Sequence, residues 1–322
     1  MNADERRLGM TWTPEESGLS PAALSRFIEE QIYTLPGTDH HREEFSVLLT
    51  GSRATGTFSH ASDVDIDVVC PRTVYDAVLR ASREAGIITA EKSFFCYARD
   101  GDPQRYFGVE RGYPHFSLTP LDTVARHFRD FDDVWLWVWT NAKVISDPGD
   151  QFGRIVSAFT GYPRDVLVRK IKYRWLRSAY ASVEVYPNHP ESDADLLPAV
   201  SALAEAINDL LRFFFLVEGK PFPYTEKLMR YADTTALGRK WGVFLRGLAE
   251  LAVGKAEPEQ DPWTRLDRAR ELLICEDVTA EAKQLGEDCA QAMLAAGVGP
   301  GWVEADFYNI DELLNGELGP AP

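Results

Sequence analysis

The sequence predicts an α+β chain. A small mixed β-sheet core with helices on one face occupies residues 1–148, an α-helical bundle follows over 149–300, and 301–322 form an acidic tail. Three observations carry this. In the first half, short apolar runs that stop at glycine, proline or polar turns alternate with helical stretches. After Pro148-Gly149 the helical repeat takes over and persists. The last stretch, ADFYNIDELLNGELGPAP, is acidic and ends in Gly and Pro, as a loose tail does.

The elements follow in order. Ser20-Pro21 is a helix start, a capping hydroxyl followed by proline at the first helical position. Leu24, Phe27, Ile28 and Ile32 then recur at helical spacing. FSVLLTGS (Phe45–Ser52) reads as a short buried strand and SDVDIDVVC as the next. TVYDAVLRASREAG (Thr73–Gly86) is a helix with a terminal glycine. QRYFGVERGYPHFSLTPLD (Gln104–Asp122) reads as a hairpin around the turn ERGYP. In DDVWLWVWTNAKVISDP the aromatics fit a helix or a strand, and AKVISD is a short strand. VWLWVW is a stretch of core or, failing that, the wall of a substrate cleft. In the second half, Leu167, Ile171 and Trp175 form one helical stripe. Val200, Leu203, Ile207, Leu210 and Phe214 form another, ending at Gly219. Further helices are expected around Thr225–Leu237, Gly242–Val253, Trp263–Leu273 and Glu281–Ala296.

The chain has 322 residues and a net charge of -16, which argues against general affinity for nucleic acid or anionic membranes, both of which need surplus Lys and Arg. The acidic balance serves solubility, and it would also draw in a cationic small substrate. Four scattered cysteines, Cys70, Cys96, Cys275 and Cys289, include no CxxC pair and read as reduced thiols of a cytoplasmic protein. No apolar run approaches the roughly 20 residues of a membrane span, and the start MNADERRLGMTW lacks a signal-peptide core. His40-His41 has no companion at metal spacing and reads as loop surface.

One stretch carries the chemistry: GSRATGTFSHASDVDIDVV (Gly51–Val69). Side chains alternate along a strand, so Asp63, Asp65 and Asp67 share one face, neighbours about 6.5–7 Å apart, while Val64, Ile66 and Val68 take the other. Like charges so placed repel unless a cation lies between them. Magnesium suits the arrangement, because it takes one or two carboxylates plus substrate phosphates. Gly51 lets the backbone approach a phosphate, and Ser52 offers an N–H and a hydroxyl. An acidic, aggregation-resistant edge strand is the plainer explanation, and it serves best for Asp67 alone.

At these residues the sequence resembles the polymerase-beta-type nucleotidyltransferase superfamily, whose motif is an apolar strand ending in Gly-Ser, a spacer of about ten residues, then Asp-x-Asp between apolar residues. VLLTGSRATGTFSHASDVDIDVV matches, with Gly51, Ser52, Asp63 and Asp65 in the motif positions. Within it, the chain is most similar to antibiotic and related small-molecule nucleotidyltransferases with a helical second domain. LLRFFFLVEGKPFPYTEKL (Leu210–Leu228) resembles their helix, Pro-Tyr loop and nucleotide-side lysine, here Lys227. The resemblance covers roughly residues 40–235. It implies that Asp63 and Asp65 hold Mg2+, that Gly51, Ser52 and the adjoining Arg53 meet the triphosphate, and that a nucleoside monophosphate, often AMP from ATP, passes to a hydroxyl with pyrophosphate leaving.

The resemblance also exposes a departure. Many members carry a third carboxylate on a later strand, and GYPHFSL places His115 there. Three candidates for the base follow: His115, whose ordinary pKa lies near neutral; Asp67, as substitute carboxylate; or Glu205 and Asp209, one turn apart on the more polar side of their helix. Further cations for the triphosphate are offered by RKIKYR, with Arg169, Lys170, Lys172 and Arg174. Lys170, Arg174 and Arg177 form one ridge, which reads equally as a solvated basic face.

The functional expectation is a magnesium-dependent nucleotidyltransferase acting on a small-molecule hydroxyl, with an aminoglycoside-like cation as the model acceptor. The alternatives are AMP transfer to a protein partner, as in toxin–antitoxin or regulatory enzymes, and a catalytically silent nucleotide-binding module.

Overall fold

The structure, a computed structural model, describes residues 16–59, 61–89, 93–99, 104–108, 113–184, 196–274 and 279–303; of 104, 179–184 and 274 only the backbone is described. The chain divides into two compact units, 1–160 and 161–322.

The first unit is built on a five-stranded mixed sheet in the order β3-β4-β2-β1-β5. Its strands are β1 (Ser46–Leu49), β2 (Val64–Cys70), β3 (Phe94–Tyr97), β4 (Pro114–Pro120) and β5 (Lys143–Ser146). Only β2 and β4 run parallel; the other neighbours are antiparallel. Helix α1 (Pro21–Phe27) starts as expected: Ser20 Oγ accepts from the Ala23 N–H at 3.1 Å, and Pro21 occupies the first turn. The helix continues as a wider π-turn through Ile32. Leu24, Phe27, Ile28 and Ile32 are all buried. They pack with Val64, Ile66 and Val68 of β2, Phe116 and Leu118 of β4, and Phe94 and Cys96 of β3 in one core. Helix α2 (Gly51–Ala54) is a single turn after β1. Helix α3 (Arg72–Glu84) adds Val74, Tyr75 and Val78 to the same core.

The hairpin expected across Gln104–Asp122 is replaced by another pairing. Gln104–Phe107 is one helical turn, α4, whose Tyr106 sits edge-on to Phe27 with ring centroids 5.2 Å apart. The antiparallel partner of β4 is β3, with Tyr97 opposite His115 and Phe95 opposite Ser117. Packing of Tyr106 into the core pulls that segment out of the sheet, and β3 escapes sequence detection because its outward residues are aromatic instead of polar. Glu110–Gly112 of the expected turn lie outside the described residues.

Helices α5 (Leu121–Arg129), α6 (Asp133–Thr140) and α7 (Gln151–Ser157) complete the first unit. The tryptophan-rich run is helix α6, with Leu136, Trp137 and Trp139 buried; Trp135 stacks on His127 at 4.9 Å. Because α7 packs on α5, the compact unit runs to Thr160, past the expected break after residue 148. Asp147 secures that turn by accepting from the N–H groups of Gln151 (3.0 Å) and Gly153 (2.9 Å) and from Ser46 Oγ (2.7 Å).

The second unit is helical: α8 (Arg164–Glu184), α9 (Leu196–Leu216), α10 (Thr225–Tyr231), α11 (Ala236–Ala252), α12 (Pro262–Ile274), α13 (Ala280–Ala295) and a last turn, α14 (Pro300–Val303). Helices α8 and α9 pair, with Trp175 against Phe213 at 5.4 Å. Leu203, Ile207, Leu210 and Phe214 are buried as their spacing requires. Helix α11 begins earlier than its apolar pattern suggests, because Thr235 caps it: its Oγ1 accepts from Gly238 N–H at 3.0 Å. Residues 304–322 of the expected tail lie outside the described residues. Among the described residues no helix is long and apolar enough to cross a membrane, and Cys70, Cys96 and Cys289 are buried free thiols.

Candidate active site

The parallel register of β2 and β4 puts Asp65 beside His115 and Asp67 beside Ser117. The carboxylate face of β2 is open only at its N-terminal end. Asp63 is exposed and Asp65 half-buried, whereas further along the same face Val69 is closed off, as is Leu48 of β1 opposite Asp67.

Asp65 is held from two sides. Its Oδ1 meets His115 Nε2 at 2.7 Å. Its Oδ2 lies over Gly51, so close that a Cβ there would be 2.0 Å from that oxygen. Gly51 also has φ +66°, a left-handed conformation that side-chain-bearing residues rarely adopt. Glycine is thus required twice, by backbone twist and by the carboxylate above it. The preceding Thr50 donates its N–H to the Asp65 carbonyl at 2.9 Å, tying the end of β1 to β2. Ser52 is buried in the single turn of α2. Asp63 accepts the Tyr113 N–H at 2.8 Å, so its carboxylate fixes the chain entering β4.

Asp67 has a bracing position. Thr50 Oγ1 donates to its Oδ2 at 2.8 Å, and Ser117 Oγ donates to its Oδ1 in a short contact. Burial pushes its carboxyl above the usual carboxylate range, against the pull of these two hydroxyls. For His115, burial favours the neutral ring. The hydrogen bond and charge of Asp65, with the fields of Asp63 and Asp67, outweigh burial and raise its pKa.

Several expected site residues are engaged elsewhere. Arg53 points inward. Its guanidinium donates to the carbonyls of Asp63 (3.1 Å), Ser17 (3.1 Å) and Ser62 (3.2 Å) and stacks over Phe58, so it pins the loop and is not directed at a triphosphate. Asp209 is closed off from solvent by an ion cluster. It is buried, with Arg174 and Arg212 each at 2.8 Å and Arg177 at 3.6 Å; Glu205 takes Arg177 at 2.8 Å. That ion cluster encloses Asp209, pairs Glu205 with Arg177, and takes Arg174 and Arg177 from the expected cationic ridge. Lys170, Lys172 and Lys227 each lie over a ring within the second unit, of Tyr162, Trp302 and Tyr224 respectively.

Sequence reasoning missed Thr50 and Ser117, the two hydroxyls on Asp67. Their signals were present: Thr50 directly precedes the Gly-Ser pair, and Ser117 is on the same face of its strand as His115.

Among the described residues no group of three or more His, Cys, Asp or Glu is arranged to hold a metal. Two hard carboxylates, Asp63 just before β2 and Asp65 within it, stand two residues apart, which is the donor number magnesium takes when phosphates complete its shell.

Two family models match parts of the chain. Residues 39–100, from before β1 through β3, match the family described as a nucleotidyltransferase domain. This chain therefore carries a nucleotidyltransferase domain in its first unit, the stretch whose Gly-Ser and Asp-x-Asp motif resembles the polymerase-beta-type superfamily. In addition, residues 129–228 match the family described as a domain of unknown function (DUF4037). No curated protein matches the chain. Among solved structures, the chain is similar to a nucleotidyltransferase-like protein from Exiguobacterium sibiricum 255-15, at 10% identity and a TM-score of 0.42, over 91% of this chain and 80% of that one.

Proposed function

We propose that the protein transfers a nucleoside monophosphate, AMP from magnesium-ATP, to a hydroxyl of a small-molecule acceptor. The observation that carries this reading is the packing of Asp65 Oδ2 on the Cβ-less face of Gly51, with Asp63 two residues earlier, at the entrance to β2. A carboxylate and a phosphate-accommodating turn are thereby brought to one place.

In this reading Asp63 and Asp65 would hold a magnesium ion, which would supply charge neutralisation of the phosphates. The Gly51-Ser52 turn receives the leaving end of the triphosphate through backbone N–H groups. The acceptor oxygen bonds to the α-phosphorus, the bond from α-phosphorus to the bridging oxygen breaks, and pyrophosphate departs with that oxygen. His115 Nε2–H donates to Asp65, which orients the ring, and Nδ1 takes the hydroxyl proton. Asp67 keeps β1, β2 and β4 in register beneath the site. The net charge of -16 supports a cationic, aminoglycoside-like acceptor.

The test is pyrophosphate release from ATP with magnesium across a panel of hydroxyl acceptors. Asp63→Ala and Asp65→Ala should each lower the rate at least about a hundredfold, and EDTA should abolish it. Full activity in either variant would sink the assignment.

A further inference from the structure

Building on the nucleotidyl-transfer reading above, we propose that Phe95, Tyr97 and Tyr113 form an aromatic platform that receives the ring of the acceptor carrying the reactive hydroxyl. Each is about half exposed, at 48%, 57% and 53%. They form a continuous set through His115: ring centroids lie 4.8 Å apart for Phe95–His115, 5.9 Å for Tyr97–His115, 5.2 Å for Phe95–Tyr97 and 6.1 Å for Tyr97–Tyr113. Register gives the reason. Tyr97, His115 and Asp65 stand in one row across β3, β4 and β2, so the aromatic side chains and the carboxylate share a face.

Strand β3 is at the edge of the sheet, where an outward face is ordinarily charged or polar to block further pairing. Two exposed aromatics on a four-residue edge strand go against that rule. Its inward residues, Phe94 and Cys96, already supply the core contacts. The strand edge also borders an open cleft of about 530 Å3, lined by Phe95 and Tyr97 with Ile87, Ile88 and Arg99, which is room for a ring system.

The direction of the reaction assigns the platform to the acceptor. Displacement at phosphorus places the entering and leaving oxygens roughly in line on opposite sides. The Gly51-Ser52 turn follows β1, on one flank of β2; the aromatic row lies on the other flank, beyond His115. With pyrophosphate leaving over the turn, the hydroxyl enters from the aromatic side. Aromatic faces beside Asp63 and Asp65 suit a ring that presents an apolar face and carries positive charge.

The experiment uses the full chain and three ring-bearing hydroxyl probes: kanamycin, phenyl β-glucoside and tyramine, with glycerol as ringless control. Binding is followed by saturation-transfer NMR and calorimetry in the wild type, Phe95→Ala/Tyr97→Ala and Tyr97→Phe. At least one ring probe should bind the wild type and glycerol should not. The double variant should lose at least tenfold in affinity, while Tyr97→Phe keeps it. The preferred probe separates a sugar C–H face from an aromatic ring. Affinity for α,β-methylene-ATP with magnesium, and the melting temperature, should stay unchanged in the double variant. The proposal is overturned if no ring probe binds at millimolar concentration, or if the double variant binds equally well. It is also overturned if nucleotide affinity falls with the aromatics, which would make the row a nucleobase site, or if the row instead drives self-association in sedimentation. Absence of magnesium-dependent nucleotide binding in the wild type would defeat the underlying reading, whatever the ring probes do.

Discussion

Asp65 and His115 stand opposite one another on parallel neighbouring strands, and their side chains meet at 2.7 Å between Oδ1 and Nε2. The pair joins the two strands at the open end of the carboxylate face. It leaves Asp65 with one oxygen committed to the ring and the other lying over Gly51.

This pairing separates two roles for His115. Glutamine at 115 can still donate to Asp65 but cannot take a proton at neutral pH. If His115 is the base, His115→Gln and His115→Ala should both lower kcat by about a hundredfold or more, with nucleotide affinity nearly unchanged. If it only orients Asp65, His115→Gln should restore most of the rate lost in His115→Ala. Single-turnover kinetics with radiolabelled ATP distinguishes the two.

Gly51→Ala should damage both fold and site. The added methyl meets Asp65 Oδ2 at 2.0 Å, and the backbone keeps φ +66° at a strain of roughly 1 kcal/mol or more. We expect a melting temperature lower by about 3 °C or more, together with a fall in kcat from a displaced carboxylate. Thermal melting monitored by circular dichroism and a pyrophosphate assay check the two parts.

Arg53→Ala should act on stability first. Three carbonyl groups, of Ser17, Ser62 and Asp63, lose their donor in a largely buried place. The expected loss is about 2–4 kcal/mol in urea unfolding of the first unit. Arg53→Lys should recover only part of it, because one ammonium cannot reproduce the planar fork.

In the second unit, Asp209→Asn should destabilise by about 3 kcal/mol. It removes the charge that compensates Arg174 and Arg212, both mostly shielded from solvent. Asp209→Glu is the control for charge without geometry. Chemical denaturation read by tryptophan fluorescence measures both.

His127 gives a pH dependence remote from the carboxylates. Its Nδ1 accepts from Trp139 Nε1 at 3.1 Å, and its ring stacks on Trp135. Burial holds its pKa below the usual value. The folded state therefore binds its proton less readily than the unfolded chain, so the His127 contribution is fully present above the ordinary pKa near 6.5 and is lost as pH falls below it toward the folded value. Replacement by phenylalanine should flatten the pH dependence of the melting temperature between pH 7 and 5. An unchanged slope would show that the stack tolerates the charged ring.

The sequence by itself determined the architecture and pointed to the candidate site. Period-two alternation fixed β2 and the common face of Asp65 and Asp67, because side chains of a strand can point only two ways. Helical spacing fixed α1 and the buried stripe of α9, and the Gly-Ser pair before the aspartates pointed to phosphate chemistry. What only the tertiary structure decided were relations across elements. The pairing of β3 with β4 depended on Tyr106 leaving the sheet for the core beside Phe27. Asp67 became a brace because Thr50 and Ser117, distant in sequence, converge on it. Arg53 and Asp209, read as site residues from their neighbours in the chain, were claimed by partners that linear spacing cannot show. Periodicity records which way a side chain points relative to its own element, whereas the partner that satisfies a buried charge is chosen by packing between elements.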